Sequence, residues 1–313
     1  MAILRKSITR IKESVMGTEP PLPIAEPQAS GVEAVLSLQP APMEPQPDII
    51  EQQPAPVDSR PIQEAPSVRP MDQEKMGYVS PSYTISRSVT LNPQVLAANR
   101  CVGYQQDSRE MEFYKVLRTK ILQRTNGGGG NTVMVTSALP GEGKTLTAIN
   151  LAFTFAKEFK QTALLVDCDL RQQRIHQVLG FPSEKGVVDY LLNDCPIQEL
   201  FVWPGVEKLT VISGGKTVKE SSELLGSPGM KNLVTDMKNR YPDRYVFFDV
   251  PPLLTSADSL AFAPFVDYIL VMVQAGQTSL QDVNRALRLL PGEKVLGIVM
   301  NRQKNALTPL SKR

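Results

Sequence analysis

The stretch VMVTSALPGEGKTLT, residues 133–147, constrains the fold of this chain more than any other part of its sequence. An apolar run rich in β-branched residues leads into a loop of small residues, and an apolar-periodic segment up to Phe159 follows. The first part predicts a buried parallel strand and the last part a helix. A strand, a glycine-containing loop and a helix, with Gly-Lys-Thr at the junction, are the context that a phosphate-binding P-loop requires.

The residue types of this loop fit phosphate chemistry. Gly141 and Gly143 let the backbone N–H groups approach phosphate oxygens, and the helix N-terminus adds its dipole. Lys144 is predicted to reach the β- and γ-phosphates, and the Thr145 hydroxyl to bind Mg²⁺. The predicted nucleotide-binding residues of the loop are Pro140, Gly141, Glu142, Gly143, Lys144, Thr145 and Leu146. Ala138 departs from the usual opening glycine, and a glycine-rich turn without a ligand is the alternative, disfavoured by the combined pattern.

Composition divides the chain into three parts. Residues 1–16 place apolar side chains at helical spacing beside basic ones, which predicts a basic amphipathic helix that docks on a membrane or a partner; a frayed terminus is the alternative. Residues 17–92 are rich in Pro, Gln and Glu, and fifteen of the 26 prolines lie before residue 94. This composition predicts a disordered linker. Residues 93–313 are predicted to form the folded domain.

Other classes of protein are disfavoured. A net charge of +2 gives no basic field for nucleic acid, and three scattered cysteines indicate neither disulfides nor a zinc site. The sequence has no apolar run long enough to span a membrane and no signal peptide. We therefore expect a cytoplasmic protein that can be peripheral at the inner face of the membrane.

Beyond the linker, apolar strand patterns alternate with helical ones. This alternation predicts an α/β fold of the P-loop NTPase type, with a mainly parallel sheet covered by helices on both faces. Two predicted strands end in carboxylates: ALLVDCDLR delivers Asp167 and Asp169 with Arg171 behind them, and YVFFDVPP delivers Asp249. Ligands of such sheets bind at the carboxyl ends of the strands, so these side chains are candidate metal ligands and catalytic groups. Taken singly, either carboxylate strand end could be structural.

PGEGKT, LLVDCDLR and VFFDVPP, in this order, resemble the bacterial tyrosine kinases of capsular and exopolysaccharide biosynthesis. The resemblance covers residues 107–303, and the N-terminal region is similar to that of stand-alone members found beside exopolysaccharide export and sorting systems. It implies ATP and Mg²⁺ as cofactors, with Lys144 neutralising the transferred phosphoryl group. Thr145, Asp169 and Asp249 would hold the metal, and Asp167 would accept the tyrosine proton, although spacing alone does not assign these carboxylates.

The resemblance also implies further residues and partners. Arg171 completes the catalytic motif, and Asn301 matches a position that reads the adenine edge, with a capping role as its alternative. Glu112, Lys115 and Arg118 match an element used for ring assembly, with Lys in place of Arg, so a homo-oligomer is expected. A membrane polysaccharide co-polymerase or chain-length regulator is the expected activator, and no nucleic acid is expected.

Two departures from the family pattern bear on function. The chain has no tyrosine after Tyr268, so Tyr78 and Tyr83 in the linker are the candidate acceptors, against the alternative of ordinary linker residues. Partition and positioning ATPases carry a signature lysine at the position of Leu139, so this residue argues against that class. The leading hypothesis is an ATP-dependent protein-tyrosine autokinase that regulates exopolysaccharide or capsule synthesis or export. The alternatives are a partition-type ATPase switch and a nucleotide-binding scaffold without kinase activity.

Overall fold

The computed structural model describes residues 86–105 and 108–303. They belong to Met71–Arg313, one of two compact units of the chain. The strands are β1 (Arg87–Ser88), β2 (Thr132–Ser137), β3 (Thr162–Asp167), β4 (Val202–Trp203), β5 (Leu209–Ile212), β6 (Arg244–Asp249), β7 (Tyr268–Gln274) and β8 (Val295–Asn301). The α-helices are α1 (Pro93–Ala98), α2 (Arg109–Thr125), α3 (Lys144–Ala156), α4 (Ile175–Leu179), α5 (Val187–Asn193), α6 (Ser221–Leu225), α7 (Pro228–Arg240), α8 (Asp258–Phe262) and α9 (Leu280–Arg288). Short 3₁₀ turns cover Ile197–Leu200, Ala263–Phe265 and Gly292–Lys294.

These strands form one eight-stranded sheet in the order β1-β4-β5-β3-β6-β2-β7-β8. β5, β3, β6, β2, β7 and β8 are parallel to one another, whereas β4 is antiparallel to β5 and β1 is parallel to β4. The central strands β2, β3 and β6 are buried along their whole length, because helices cover both faces. The predicted α/β fold with a mainly parallel sheet is confirmed.

Two hydrophobic cores lie on opposite faces of the sheet. On one face α3 packs against the strands, and its Phe153 and Phe155 are fully buried with Phe247 of β6. On the other face α7 and α8 cover the sheet, with Phe262 packed edge-on against Phe248 at a centroid distance of 5.0 Å. Adjacent residues of β6 thus face opposite cores, as the period of two in a strand requires.

The predicted amphipathic helix at residues 1–16 and residues 17–85 of the predicted linker lie outside the described residues. The strand β1 precedes the predicted domain start at residue 93 and pairs with the edge of the sheet. The sheet therefore includes a strand that composition assigned to the linker. Within residues 86–105 and 108–303, no helix has the length and apolarity needed to cross a membrane.

Candidate nucleotide-binding and active site

The loop between β2 and α3 has the backbone conformation that its glycines permit. Gly141 and Gly143 have φ angles of 82° and 94°, a region that residues with side chains rarely adopt. Gly143 also caps the N-terminus of α3, and a Cβ atom there would lie 2.2 Å from Nδ2 of Asn301. The positive φ angle and the short distance to Asn301 therefore both require glycine at position 143. Pro140 and Gly141 are exposed at the rim of the loop, and Leu146 is half-buried on the first turn of α3.

Lys144 is the first residue of α3 and lies among carboxylates from two other strand ends. Its Nζ is 2.7 Å from Oδ2 of Asp169 and 3.4 Å from Oδ1 of Asp249. The Thr145 hydroxyl is 3.4 Å from the same Nζ. The structure thus brings four of the predicted site residues together from three separate motifs.

Sheet register explains why these motifs meet. β3 and β6 are adjacent and parallel, and their last residues, Asp167 and Asp249, pair directly across the sheet. Val135 of β2 pairs with Asp249 on the other side, so the P-loop starts beside the same carboxylate. Parallel strands that end at the same level place their last side chains together at the carboxyl-terminal end of the sheet.

Burial is the largest influence on the pKa values of Asp167 and Asp249. Burial and the neighbouring Asp249 raise the pKa of Asp167 to about 8. Burial likewise raises the pKa of Asp249, although Lys144 opposes the shift. For Lys144 burial lowers the pKa, but Asp249 and Asp169 outweigh it, so the pKa lies above its usual value. Lys144 therefore stays charged, and Asp167 and Asp249 hold protons more readily than exposed aspartates do.

Asp167 has a separate set of partners in the backbone. One carboxylate oxygen accepts the Asp169 N–H at 3.1 Å, and the other accepts the N–H groups of Arg174 and Ile175, both at 3.1 Å. Asp169 similarly accepts the Gln172 N–H at 3.0 Å. Asp167 thus holds the turn between β3 and α4 in place, a structural contribution that the sequence motif did not indicate.

Arg171 contacts a buried hydroxyl and a buried acid, those of Ser221 and Asp258. Its Nε donates to the Ser221 hydroxyl at 2.6 Å, and that hydroxyl donates to Asp258 at 2.6 Å. One oxygen of Asp258 lies 3.7 Å from the Arg171 guanidinium. The guanidinium is therefore oriented, while half of the Arg171 side chain stays exposed at the site's edge.

Glu142 is the site residue whose surroundings sequence reasoning missed. Its carboxylate is buried, accepts the Leu139 N–H at 2.8 Å and accepts a hydrogen bond from the Thr278 hydroxyl. The Nδ2 group of Asn301 donates to the Glu142 carbonyl at 2.9 Å. The loop after β7 and the last residue of β8 thus fix the P-loop. Thr278 carried no sequence signal, because it is 136 positions away in the chain.

The donor set suits a magnesium ion that a nucleotide also binds. Among residues 86–105 and 108–303, no group of three His, Cys, Asp or Glu side chains is placed to hold a metal alone. Thr145 and Asp249 nevertheless lie together, and Oδ2 of Asp249 is buried without a hydrogen-bond partner. Mg²⁺ commonly takes one or two carboxylates plus phosphate oxygens, so Thr145, Asp169 and Asp249 fit that requirement.

The predicted ring-assembly element on α2 makes contacts within its own chain. Lys115 pairs with Glu112 at 2.6 Å on the helix surface. Arg118 pairs with Glu158 at 3.0 Å and donates to the Thr154 carbonyl at 2.7 Å. Phe113 and Val116, on the same helix, are 54% and 52% exposed.

Comparison with known proteins gives a consistent set of relatives. A family model described as an AAA domain matches residues 130–292. The tyrosine-protein kinase YwqD of Bacillus subtilis (strain 168) is 32% identical over 199 residues, covering 63% of this chain and 83% of the relative. The succinoglycan biosynthesis transport protein ExoP of Rhizobium meliloti (strain 1021) is 33% identical over 191 residues, which are 58% of this chain and 23% of that longer protein.

Among solved structures, that of the chimerical protein CapA2B2 superimposes with a TM-score of 0.61 at 27% identity. The match covers 69% of this chain and 93% of the other. Fold, P-loop and relatives therefore agree on a P-loop ATPase type of domain, which implies nucleotide binding.

Proposed function

This chain belongs to the bacterial tyrosine-kinase family of capsule and exopolysaccharide biosynthesis, and we propose that it is an ATP-dependent protein-tyrosine autokinase. It would regulate the synthesis or export of an exopolysaccharide or capsule. The observation that carries the proposal is the position of Lys144 between Asp169 and Asp249 at the mouth of the P-loop. Phosphoryl transfer depends on positioning and on neutralising charge, and this cluster supplies both.

Nucleotide binding rearranges the charges of this cluster in our proposal. The backbone N–H groups of residues 141–146 would hold the phosphates, and Lys144 would move from its carboxylates to the β- and γ-phosphates. Asp169, Asp249 and the Thr145 hydroxyl would hold Mg²⁺. The metal supplies charge neutralisation when bound. Arg171, oriented by Ser221, adds positive charge at the edge of the site.

Asp167 is the proposed base for the tyrosine hydroxyl. Its pKa of about 8, raised by burial, supports this role because a base acts best when its pKa is near the working pH. Its three backbone hydrogen bonds support a structural role as well. Asp167→Asn separates the two roles in part: it cannot take up the proton, and its one amide oxygen can still accept the Arg174 and Ile175 N–H groups, whereas the Asp169 N–H loses its acceptor.

A nucleotide-binding scaffold without kinase activity is the second candidate. The absence of any tyrosine after Tyr268 favours it, because family members carry their acceptors in a C-terminal tyrosine cluster.

In either case a membrane polysaccharide co-polymerase is the proposed activator, at the cytoplasmic face of the membrane. The similarity to the ExoP transport protein supports this partner. The exposed Phe113 and Val116, beside Glu112 and Lys115, support self-association through α2.

Incubation of the purified full chain with radiolabelled ATP and Mg²⁺, followed by mapping of phosphotyrosine, tests the proposal. We expect label on tyrosine in the wild type and none in Lys144→Met. Thr235→Ala, a substitution on the exposed surface of α7, is the matched control and should label normally. A wild-type protein that binds ATP yet phosphorylates neither itself nor an added tyrosine copolymer would establish the scaffold function instead.

A further inference from the structure

A buried acid with one unsatisfied oxygen lies behind Arg171. The Asp258 side chain has no exposed surface, and its Oδ2 accepts a hydrogen bond from the Ser221 hydroxyl at 2.6 Å. Its Oδ1 has no hydrogen-bond partner among the described residues and lies 3.7 Å from Nη2 of Arg171. Burying a carboxylate is costly unless it is paired and hydrogen-bonded, so an acid that is only half satisfied needs an explanation.

The topology of the sheet brings this acid to the nucleotide site. Ser221 begins α6 and Asp258 begins α8, and the two helices pack against one another. α6 follows β5 and α8 follows β6, which are the two neighbours of β3 in the sheet. Arg171 comes after β3 itself. Three adjacent parallel strands therefore deliver the acid, the hydroxyl and the guanidinium to the same edge of the sheet.

Arg171 is also tied to the centre of the site through its own turn. It follows Asp169 by two residues, and Asp169 contacts Nζ of Lys144 at 2.7 Å. The Leu170 carbonyl accepts the Val218 N–H at 3.2 Å, which joins this turn to the segment that leads into α6. The backbone of Arg171 is thus fixed next to a residue that contacts the P-loop lysine.

The contacts of Arg171 leave one edge of its guanidinium free. Nε donates to the Ser221 hydroxyl at 2.6 Å, and Nη2 faces Asp258. Among the residues that the structure describes, Nη1 meets no hydrogen-bond or ion-pair partner, and half of the side chain is exposed. A guanidinium carries its five N–H donors in a rigid planar fork, so holding one edge fixes the direction of the other.

We propose that Asp258 is a positioning residue, which acts through Ser221 to direct the free edge of Arg171 towards the terminal phosphoryl group of the bound nucleotide. This inference rests on the proposed nucleotide site and adds a residue to it. A guanidinium that is already held in place loses little side-chain entropy when it donates charge-assisted hydrogen bonds to phosphoryl oxygens. Because ADP lacks the terminal phosphoryl group, its affinity should not depend on Asp258.

Titration of the full chain with two ligands in the presence of Mg²⁺ tests the assignment. One ligand is ADP, and the other is ADP with aluminium fluoride, which takes the place of the transferring phosphoryl group. Arg171→Ala should weaken the aluminium fluoride complex about tenfold and leave ADP affinity within about twofold. Asp258→Asn, which keeps the shape of the side chain but not its charge, should weaken the same complex roughly fivefold. Ser221→Ala, which keeps the acid and removes the bridge, should change the affinities in the same direction.

A double variant separates positioning from a general loss of structure. In an Arg171→Ala background, Asp258→Asn should weaken the aluminium fluoride complex by less than about twofold more, because the arginine through which it acts is gone. Equal losses of affinity for the two ligands in Asp258→Asn would overturn the inference. So would a loss that stays undiminished in the Arg171→Ala background.

Asp267→Asn is the matched control for removal of a carboxylate charge. Asp267 pairs with Lys238 and accepts the Asn131 N–H at 3.0 Å. It directly precedes β7, which is parallel to β2, so it lies at the edge of the sheet opposite the P-loop. This variant should lose stability in urea and keep wild-type affinity for both ligands.

An added tyrosine copolymer distinguishes failure of this inference from failure of the kinase function. If the copolymer is phosphorylated and Asp258→Asn binds both ligands as the wild type does, only the positioning role is wrong. If Asp258→Asn shows the selective loss and the wild type does not phosphorylate the copolymer, the positioning role stands and the kinase function is wrong.

Discussion

The side-chain amide of Asn301 donates a 2.9 Å hydrogen bond to the backbone carbonyl of Glu142, which joins the last strand of the sheet to the P-loop. The side-chain oxygen of Asn301, Oδ1, accepts the Arg302 N–H at 2.8 Å. Both ends of this amide are thus used within the chain. Asn301 holds the P-loop, and the adenine contact implied by family resemblance stays a prediction.

Asn301→Ala distinguishes support of the loop from recognition of the base. Loss of one hydrogen bond is worth about 1 kcal/mol, so we expect ATP and GTP affinity to fall alike, by about fivefold. Titration calorimetry with both nucleotides measures the two effects. A loss confined to ATP would instead assign Asn301 to the adenine edge.

Thr278→Val is expected to destabilise the protein through Glu142. The substitution leaves a buried Glu142 oxygen without its donor, and the Gln274 N–H without the acceptor that it meets at 2.9 Å. An unsatisfied buried polar group costs about 1–3 kcal/mol, and we expect a loss of stability in that range by urea unfolding. Thr278→Ser keeps the hydroxyl and should lose less than half as much. A loss in Thr278→Ser as large as that in Thr278→Val would contradict the assignment of the stabilisation to the hydroxyl.

The raised pKa of Asp167 predicts how stability depends on pH. In the folded protein the pKa is about 8, whereas an unfolded aspartate titrates near its ordinary model value of 3.8. The folded state therefore holds the proton more strongly between these values, so this contribution to stability is full below the lower pKa and is lost as pH rises through about 8. Asp167→Asn cannot titrate and should flatten the decline in stability between about pH 4 and pH 8. Urea unfolding of the nucleotide-free protein at several pH values measures it, and an unchanged slope would contradict it.

Lys144→Met is expected to affect stability in a pH-dependent way. The lysine is the buried partner of Asp169 and Asp249, and its loss leaves their charge uncompensated. Breaking a buried ion pair costs about 3–5 kcal/mol, so a loss of that order is expected at pH 8. At pH 5 the loss should be smaller, because burial raises the pKa of Asp249 and this carboxylate takes up a proton more readily. Lys144→Arg keeps the charge and is the control. A loss of stability in Lys144→Met that is equal at both pH values would contradict a role for carboxylate charge.

Much of the site was predictable because local patterns specify it. β-branched runs that end in Asp167 and Asp249, and a Gly-Lys-Thr junction before a helix, are short segments with a known chemical use. The periodicity of apolar residues predicted the alternation of strands and helices, which left a parallel sheet as the simplest arrangement. The carboxyl ends of the strands then had to lie at one edge.

What local patterns could not predict involves partners far apart in the chain. The buried Glu142 contacts Thr278, which is 136 positions away in the chain. Arg171 likewise donates to Ser221, which is 50 positions away. Neither pair has a characteristic spacing, because each depends on how several strands line up. The two-residue β1 falls in a region whose composition predicts a linker, and only its pairing with β4 reveals it as a strand.

By itself the sequence determined the fold class, the phosphate loop and the carboxylates that face it, because each is encoded in a contiguous run of residues. The tertiary structure alone decided that Asp167 and Asp249 end level on adjacent strands, that Lys144 lies between Asp169 and Asp249, and that β1 runs opposite to the central strands. Register, burial and strand direction are properties of the assembled sheet. They arise from packing between segments that are distant in the chain, which no single segment specifies.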